Sequence, residues 1–106
     1  MLLDKQLNYQ PYHHKYKENE ILILKDIEEL NEINKILACN ENTDAYIGAN
    51  WYLSKEKMKL LSAKRLRVLN CVSWHMGVPF YVLEEIDERS NIVHVGEFYL
   101  NNNGDY

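Results

Sequence analysis

The chain has 106 residues, 46% of them apolar and 26% charged, with a formal net charge of −4. That length bounds the fold to one domain, residues 1–106, able to bury roughly two thirds of its unfolded surface, and the composition excludes a disordered polar chain. No run approaches a membrane span, and Leu2 and Leu3 are followed at once by Asp4, Lys5 and Gln6, so no signal peptide is expected and a cytoplasmic location is.

Residues 1–17 place Tyr9, Pro11, Tyr12, His13, His14 and Tyr16 among polar residues with no steady period, the pattern of an extended arm packed in part through its tyrosines. Residues 20–25 are a short apolar run that reads as a buried first strand. Over residues 26–38, Ile27, Leu30, Ile33, Ile36 and Leu37 recur every three to four positions, which predicts an amphipathic helix. Asp26 stands at its N-cap, Glu28 and Glu29 in its first turn and Lys35 near its end, all as the helix dipole favours.

Residues 40–44 read as a loop, and residues 46–53 as a strand or extended crossing anchored by Trp51. Ser54 caps a short predicted helix over residues 55–61, with Met58, Leu60 and Leu61 as its apolar residues. Residues 64–100 then hold three strand-like runs separated by two short breaks, an antiparallel meander. The alternation predicts Val68, Val82, Ile86 and Val93 in the core, with Ile23, Leu30 and Ile33 packed onto them. The Asn-rich tail, residues 101–106, is expected to fray. The abundance of Asn and Lys, whose codons are AT-rich, points to a low-GC bacterium or its viruses.

Charge is segregated along the chain. Residues 55–67 carry Lys55, Lys57, Lys59, Lys64, Arg65 and Arg67 against the single acid Glu56, a net of +5, so the other 93 residues carry −9. This basic segment is either a phosphate- or acid-binding patch or a solvated face. The acids also cluster, with Glu28, Glu29 and Glu32 on the helix and Glu84, Glu85, Asp87 and Glu88 at the end of the second meander strand. Such an acidic surface either solubilises the protein or imitates nucleic-acid phosphates.

Catalytic constellations are not evident. Glu84 and Glu85 point to opposite faces of a strand and do not converge on one substrate. The adjacent His13–His14 pair matches no metal-ligand spacing, His75 falls in a turn, and His94 alternates with Val93 and Val95. Cys39 and Cys71 lie 32 positions apart without a CxxC partner, which predicts two reduced, buried thiols and no disulfide. No catalytic residue, metal or cofactor site is therefore expected. Aromatic residues make up 11% of the chain, and Trp74, in the turn before Gly77, is either an exposed docking anchor or a lid over one end of the fold.

A resemblance rests on several short stretches within residues 16–100. They are Lys17-Glu18-Asn19-Glu20-Ile21-Leu22-Ile23, Trp51, Lys57-Met58-Lys59-Leu60, Lys64-Arg65-Leu66-Arg67-Val68 and Gly96-Glu97-Phe98-Tyr99-Leu100. In this order the chain resembles the SH3-like small barrels of short bacteriophage and prophage accessory proteins. It departs from them at Ala63, where a glycine commonly stands, and at Glu18-Asn19, where a Gly-Asp turn is usual.

The resemblance implies an α+β domain with a strongly bent antiparallel sheet of about five strands, an SH3-like barrel, with one main and one short helix. It also implies a non-enzymatic binding protein encoded by a phage or mobile element. The expected partner is a host protein such as a defence nuclease, which would make the chain an anti-defence, anti-CRISPR-like inhibitor. The expected docking surface is Trp74 with Glu84, Glu85, Asp87 and Glu88, because an acidic protein is steered to basic clefts. Two alternatives stay open: a nucleic-acid-binding accessory domain using Lys55, Lys57, Lys59, Lys64, Arg65 and Arg67, and a phage structural or assembly factor.

Overall fold

A computed structural model describes residues 14–39, 43–74, 77–87 and 91–102. Strand β1 (Ile21–Leu24) leads into helix α1 (Ile27–Ala38), then the short helices α2 (Thr43–Ile47) and α3 (Lys55–Leu61). Strands β2 (Leu66–Ser73), β3 (Pro79–Glu85) and β4 (Ile92–Gly96) follow, then a 3-10 turn (Glu97–Tyr99) and β5 (Leu100–Asn102). The five strands form one antiparallel sheet in the order β4-β3-β2-β1-β5. The α+β class and the strand count match expectation. The expected barrel does not close, because β4 and β5 lie at opposite ends of the sheet.

The capping chemistry acts as the residue types dictate. Asp26 accepts the Glu29 N–H at 2.9 Å to start α1, and Ser54 Oγ accepts the Lys57 N–H at 3.2 Å to start α3. Leu30, Ile33 and Leu37 turn into the core. Ile27 and Leu60, both expected on apolar faces, are instead 58% and 69% exposed. The expected loop over residues 40–44 ends in α2, and the expected strand or extended crossing over residues 46–53 is instead the end of α2 followed by turns and irregular chain; residues 40–42 lie outside the described set. Trp51 does anchor this region, fully buried against Tyr46, Trp74 and Phe98.

The last expected strand splits in two. After Gly96 the chain makes a 3-10 turn, crosses the sheet and returns as β5, which pairs with β1. Asn101 and Asn102, expected in a fraying tail, are therefore strand residues facing Ile23 and Leu22. A Cβ on Gly96 would lie 3.1 Å from the Trp51 ring, closer than most Cβ contacts, so a side chain here would press on the indole unless the ring gave way by a few tenths of an ångström. Asn19 and Ala63 both adopt left-handed backbone, at φ 71° and 61°. Asparagine tolerates that region in a turn, whereas alanine at 63 occupies a position that favours glycine.

Two local features shift the strand phase. A bulge between Val68 and Asn70 leaves Leu69 without a register partner and turns Leu66, Val68 and Cys71 toward one face. In β3 the core face carries Tyr81, Leu83 and Glu85, one residue out of step with the expected Val82 and Ile86. Val82, Ile86, Val93 and Ile23 are only half-buried, whereas Val68, Leu30 and Ile33 are in the core as expected. Leu83→Ala is accordingly expected to destabilise by about 2–5 kcal/mol, and Val82→Ala by about 1 kcal/mol or less, in urea unfolding. The reverse ranking would show that the strand phase is wrong.

The end of the arm docks on this sheet. Tyr16 is buried; its N–H donates to Tyr81 Oη at 3.0 Å and its hydroxyl donates to the Leu100 carbonyl at 3.1 Å. The Tyr81 hydroxyl in turn donates to Glu97 at 2.5 Å, and His14 Nε2 lies 2.8 Å from the Val72 carbonyl. Of the expected arm only residues 14–17 are described; Tyr9, Tyr12 and His13 lie outside the described residues.

Candidate docking surface

The acidic and basic clusters come together. Pairing of β2 with β3 sets Arg67 opposite Glu84 and Leu66 opposite Glu85. Lys64 Nζ lies 3.2 Å from Glu85, Arg65 3.5 Å from Asp87 and Arg67 3.9 Å from Glu84. Part of each expected site, Lys64, Arg65 and Arg67 with Glu84, Glu85 and Asp87, thus forms one strip of alternating charge, whose outer pairs contribute modestly in water. Glu88 lies outside the described residues.

Glu85 cannot serve as an exposed docking group, because it is 2% exposed. Its Oε2 accepts from the Asn91 amide at 2.8 Å. That bond, together with the Lys64 ammonium, holds its carboxyl below the usual carboxylate range against the opposing effect of burial. A carboxylate on the core face is what disguised the phase of β3 in the sequence.

Lys57 is also removed from the presumed basic surface. Its ammonium donates to the carbonyls of Asn50 at 2.9 Å, Tyr52 at 3.2 Å and His94 at 2.7 Å. Burial pushes its pKa below the ordinary lysine range. The His94 carbonyl belongs to β4, the end strand of the sheet, and the Gly96 N–H of that strand donates to the Trp51 carbonyl at 3.1 Å. Lys57 and Trp51 together cover an edge that would otherwise present unpaired backbone groups.

Trp74 is half-buried, its ring 5.4 Å from Trp51 and 5.7 Å from Tyr46. It therefore lids the aromatic cluster at this end of the sheet and is not a free anchor. Among the described residues, the buried Tyr46 hydroxyl and Trp51 Nε1 have no hydrogen-bond partner. Cys39 and Cys71 are free thiols. Cys39 is exposed, contrary to the expectation of burial, while Cys71 is half-buried with its thiol pKa raised chiefly by desolvation. No group of three or more metal-ligating side chains gathers among the described residues, and no helix there is long and apolar enough to cross a membrane. His13 and His75 are outside that set.

What remains of the basic segment, Lys55 and Lys59, lies on a groove of about 1120 Å³ between α1 and α3. Leu24, Leu30, Met58 and Tyr52 supply apolar lining, and Ile27 is exposed at its margin. Lys25 and Lys35 join Lys55 and Lys59 around it. Among the described residues none of these four lysines is in an ion pair, although Glu29 lies within electrostatic reach of Lys25. Sequence reasoning missed Lys25 and Lys35 because they lie 20 to 30 positions from α3; Ile27, apolar yet exposed, is legible as a signal only once the helix is packed.

Three phenols resist ionisation. Burial raises the pKa of Tyr16, Tyr81 and Tyr99, and the hydrogen bond to Glu97 adds to the effect at Tyr81. The unfolded chain ionises these tyrosines near pH 10, so their contribution to stability is full below that pH and is lost as pH rises above it. We expect their tyrosinate absorbance near 295 nm to appear together with alkaline loss of structure, with Tyr81→Phe reducing its amplitude. Ionisation of Tyr81 in the intact fold would contradict this.

Against known proteins, the chain matches no protein-family model, no curated protein and no solved structure.

Proposed function

We propose that this chain is a non-enzymatic, cytoplasmic binding protein that docks on another protein. The context is a phage or mobile element acting on a bacterial host, with a defence nuclease as the kind of target, in keeping with the resemblance to SH3-like accessory proteins. The observation that supports docking is the groove between α1 and α3, an apolar trough whose four lysines have no ion-pair partner among the described residues. A surface combining apolar area with an excess of one charge sign, here four lysines against Asp26, favours a partner of opposite charge. The acidic end of the meander is the weaker candidate, since Glu84, Glu85 and Asp87 are already paired with Arg67, Lys64 and Arg65.

Affinity capture from bacterial lysate, with quantitative comparison of variants, tests the reading. Lys35→Glu/Lys55→Glu/Lys59→Glu is expected to lose a specific protein partner that the charge-swapped Arg65→Glu/Asp87→Lys variant retains. Capture of no specific protein by the folded wild type, together with a steep fall of random DNA or RNA binding with salt, would replace docking by the nucleic-acid reading.

A further inference from the structure

We propose, building on the docking reading, that the groove between α1 and α3 receives an acidic amphipathic helix of the partner. Its apolar side chains would lie on the exposed Ile27 and the half-buried Leu24 and Tyr52, above the buried Leu30 and Met58, and its carboxylates would face Lys25, Lys35, Lys55 and Lys59. The groove's construction carries the argument. Ile27, Asn31 and Lys35 recur every four residues along one wall, and Lys55 and Lys59 stand one turn apart on the other. Side chains at that spacing on a helix have Cβ atoms about 5–6 Å apart, so carboxylates at i and i+4 of a docked helix match the Lys55–Lys59 pair.

The lining carries four lysines against one acid, Asp26. Glu28, Glu29 and Glu32 are exposed but do not line the groove. Asp26, which does line it, is committed to capping α1 through the Glu29 N–H. Among the described residues Tyr52 is the only aromatic side chain of the lining and is half-buried, a poor match to the successive aromatic platforms that single-stranded nucleic acid uses. Four lysines distributed along the trough also exceed what the single carboxylate of a fatty acid would engage. Lys25 adds a reporter, because desolvation depresses its pKa and an incoming carboxylate would raise it.

Three helix-stapled peptides of about fourteen residues, some 21 Å long, serve as probes. The first carries leucines on one face with Glu pairs at i and i+4, the second has Gln for every Glu, and the third has Ser for every Leu. Calorimetry and NMR on the full chain are expected to show binding of the first peptide, shifts of the Ile27 and Met58 methyl signals, and a rise in the Lys25 pKa. The second and third peptides, and the first against Lys55→Glu/Lys59→Glu, should bind at least about tenfold more weakly, each tenfold step being about 1.4 kcal/mol. Circular dichroism and melting of the double variant check that its fold is intact.

The inference fails if the Glu and Gln peptides bind alike or if the shifts map to β2 and β3. It fails equally if single-stranded DNA, a long-chain carboxylate or a second copy of this chain occupies the groove in place of the peptide. If the peptides fail while a specific protein is still captured, the occupant is wrong and docking stands. If both fail, the docking reading falls with it.

Discussion

Trp51→Ala is expected to remove about 3–5 kcal/mol of stability, a large part of the 5–15 kcal/mol typical of a folded domain. The indole is fully buried and its ring meets three others, Tyr46 at 5.9 Å, Trp74 at 5.4 Å and Phe98 at 5.5 Å. These rings come from α2, from the residue after β2 and from the 3-10 turn, so no single neighbour can move to fill the space. Gly96 packs on the same ring, which ties the cavity to the point where β4 ends. Trp51→Phe should cost distinctly less, because it keeps a ring in place and removes an indole N–H that has no partner among the described residues. Urea unfolding followed by circular dichroism checks both variants. A loss below about 1 kcal/mol for the alanine variant would mean that the surroundings collapse onto the site.

Lys57→Met is expected to destabilise on the order of 2–4 kcal/mol, since each hydrogen bond from a charged group contributes about 1.5–3 kcal/mol and this one is only partly shielded from water. The three carbonyls it joins lie on the loop before α3 and on β4, so the substitution loosens the contact between helix and sheet edge. It also uncovers the His94 carbonyl on an end strand, and the variant should self-associate at concentrations where the wild type stays monodisperse. Lys57→Arg is not expected to rescue the fold, because a planar guanidinium does not direct three donors into a cage shaped for an ammonium. Lys59→Met, on an exposed position two residues away, should change stability by no more than about 0.5 kcal/mol. Equal effects at positions 57 and 59, measured by denaturation and light scattering, would refute the structural role of Lys57.

The comparison of these two lysines shows how far charge patterning reaches. In the sequence Lys55, Lys57, Lys59, Lys64, Arg65 and Arg67 are equivalent members of one basic segment. In the fold they separate into three roles. Lys57 holds backbone carbonyls, the group from 64 to 67 pairs with acids of the neighbouring strand and its continuation, and Lys55 and Lys59 remain on the groove. Composition registers that charge is present, but the partner of each charge is set by strand register and helix packing.

By itself the sequence determined the α+β class, α1 and its Asp26 cap, α3 and its Ser54 cap, the first strand and the β2–β3–β4 meander. Each follows from a local rule: the 3.6-residue period, a side-chain oxygen before the first turn, or a run of strand formers between turn residues. The tertiary structure alone decided the open sheet with β5 beside β1, the Leu69 bulge, the inward Glu85 and the lysine-rimmed groove. The physical reason is the same in each case: these features depend on residues far apart in the chain. A bulge changes which face a side chain takes, a carboxylate is buried only because Asn91 and Lys64 receive it, and a groove exists only between two helices already placed.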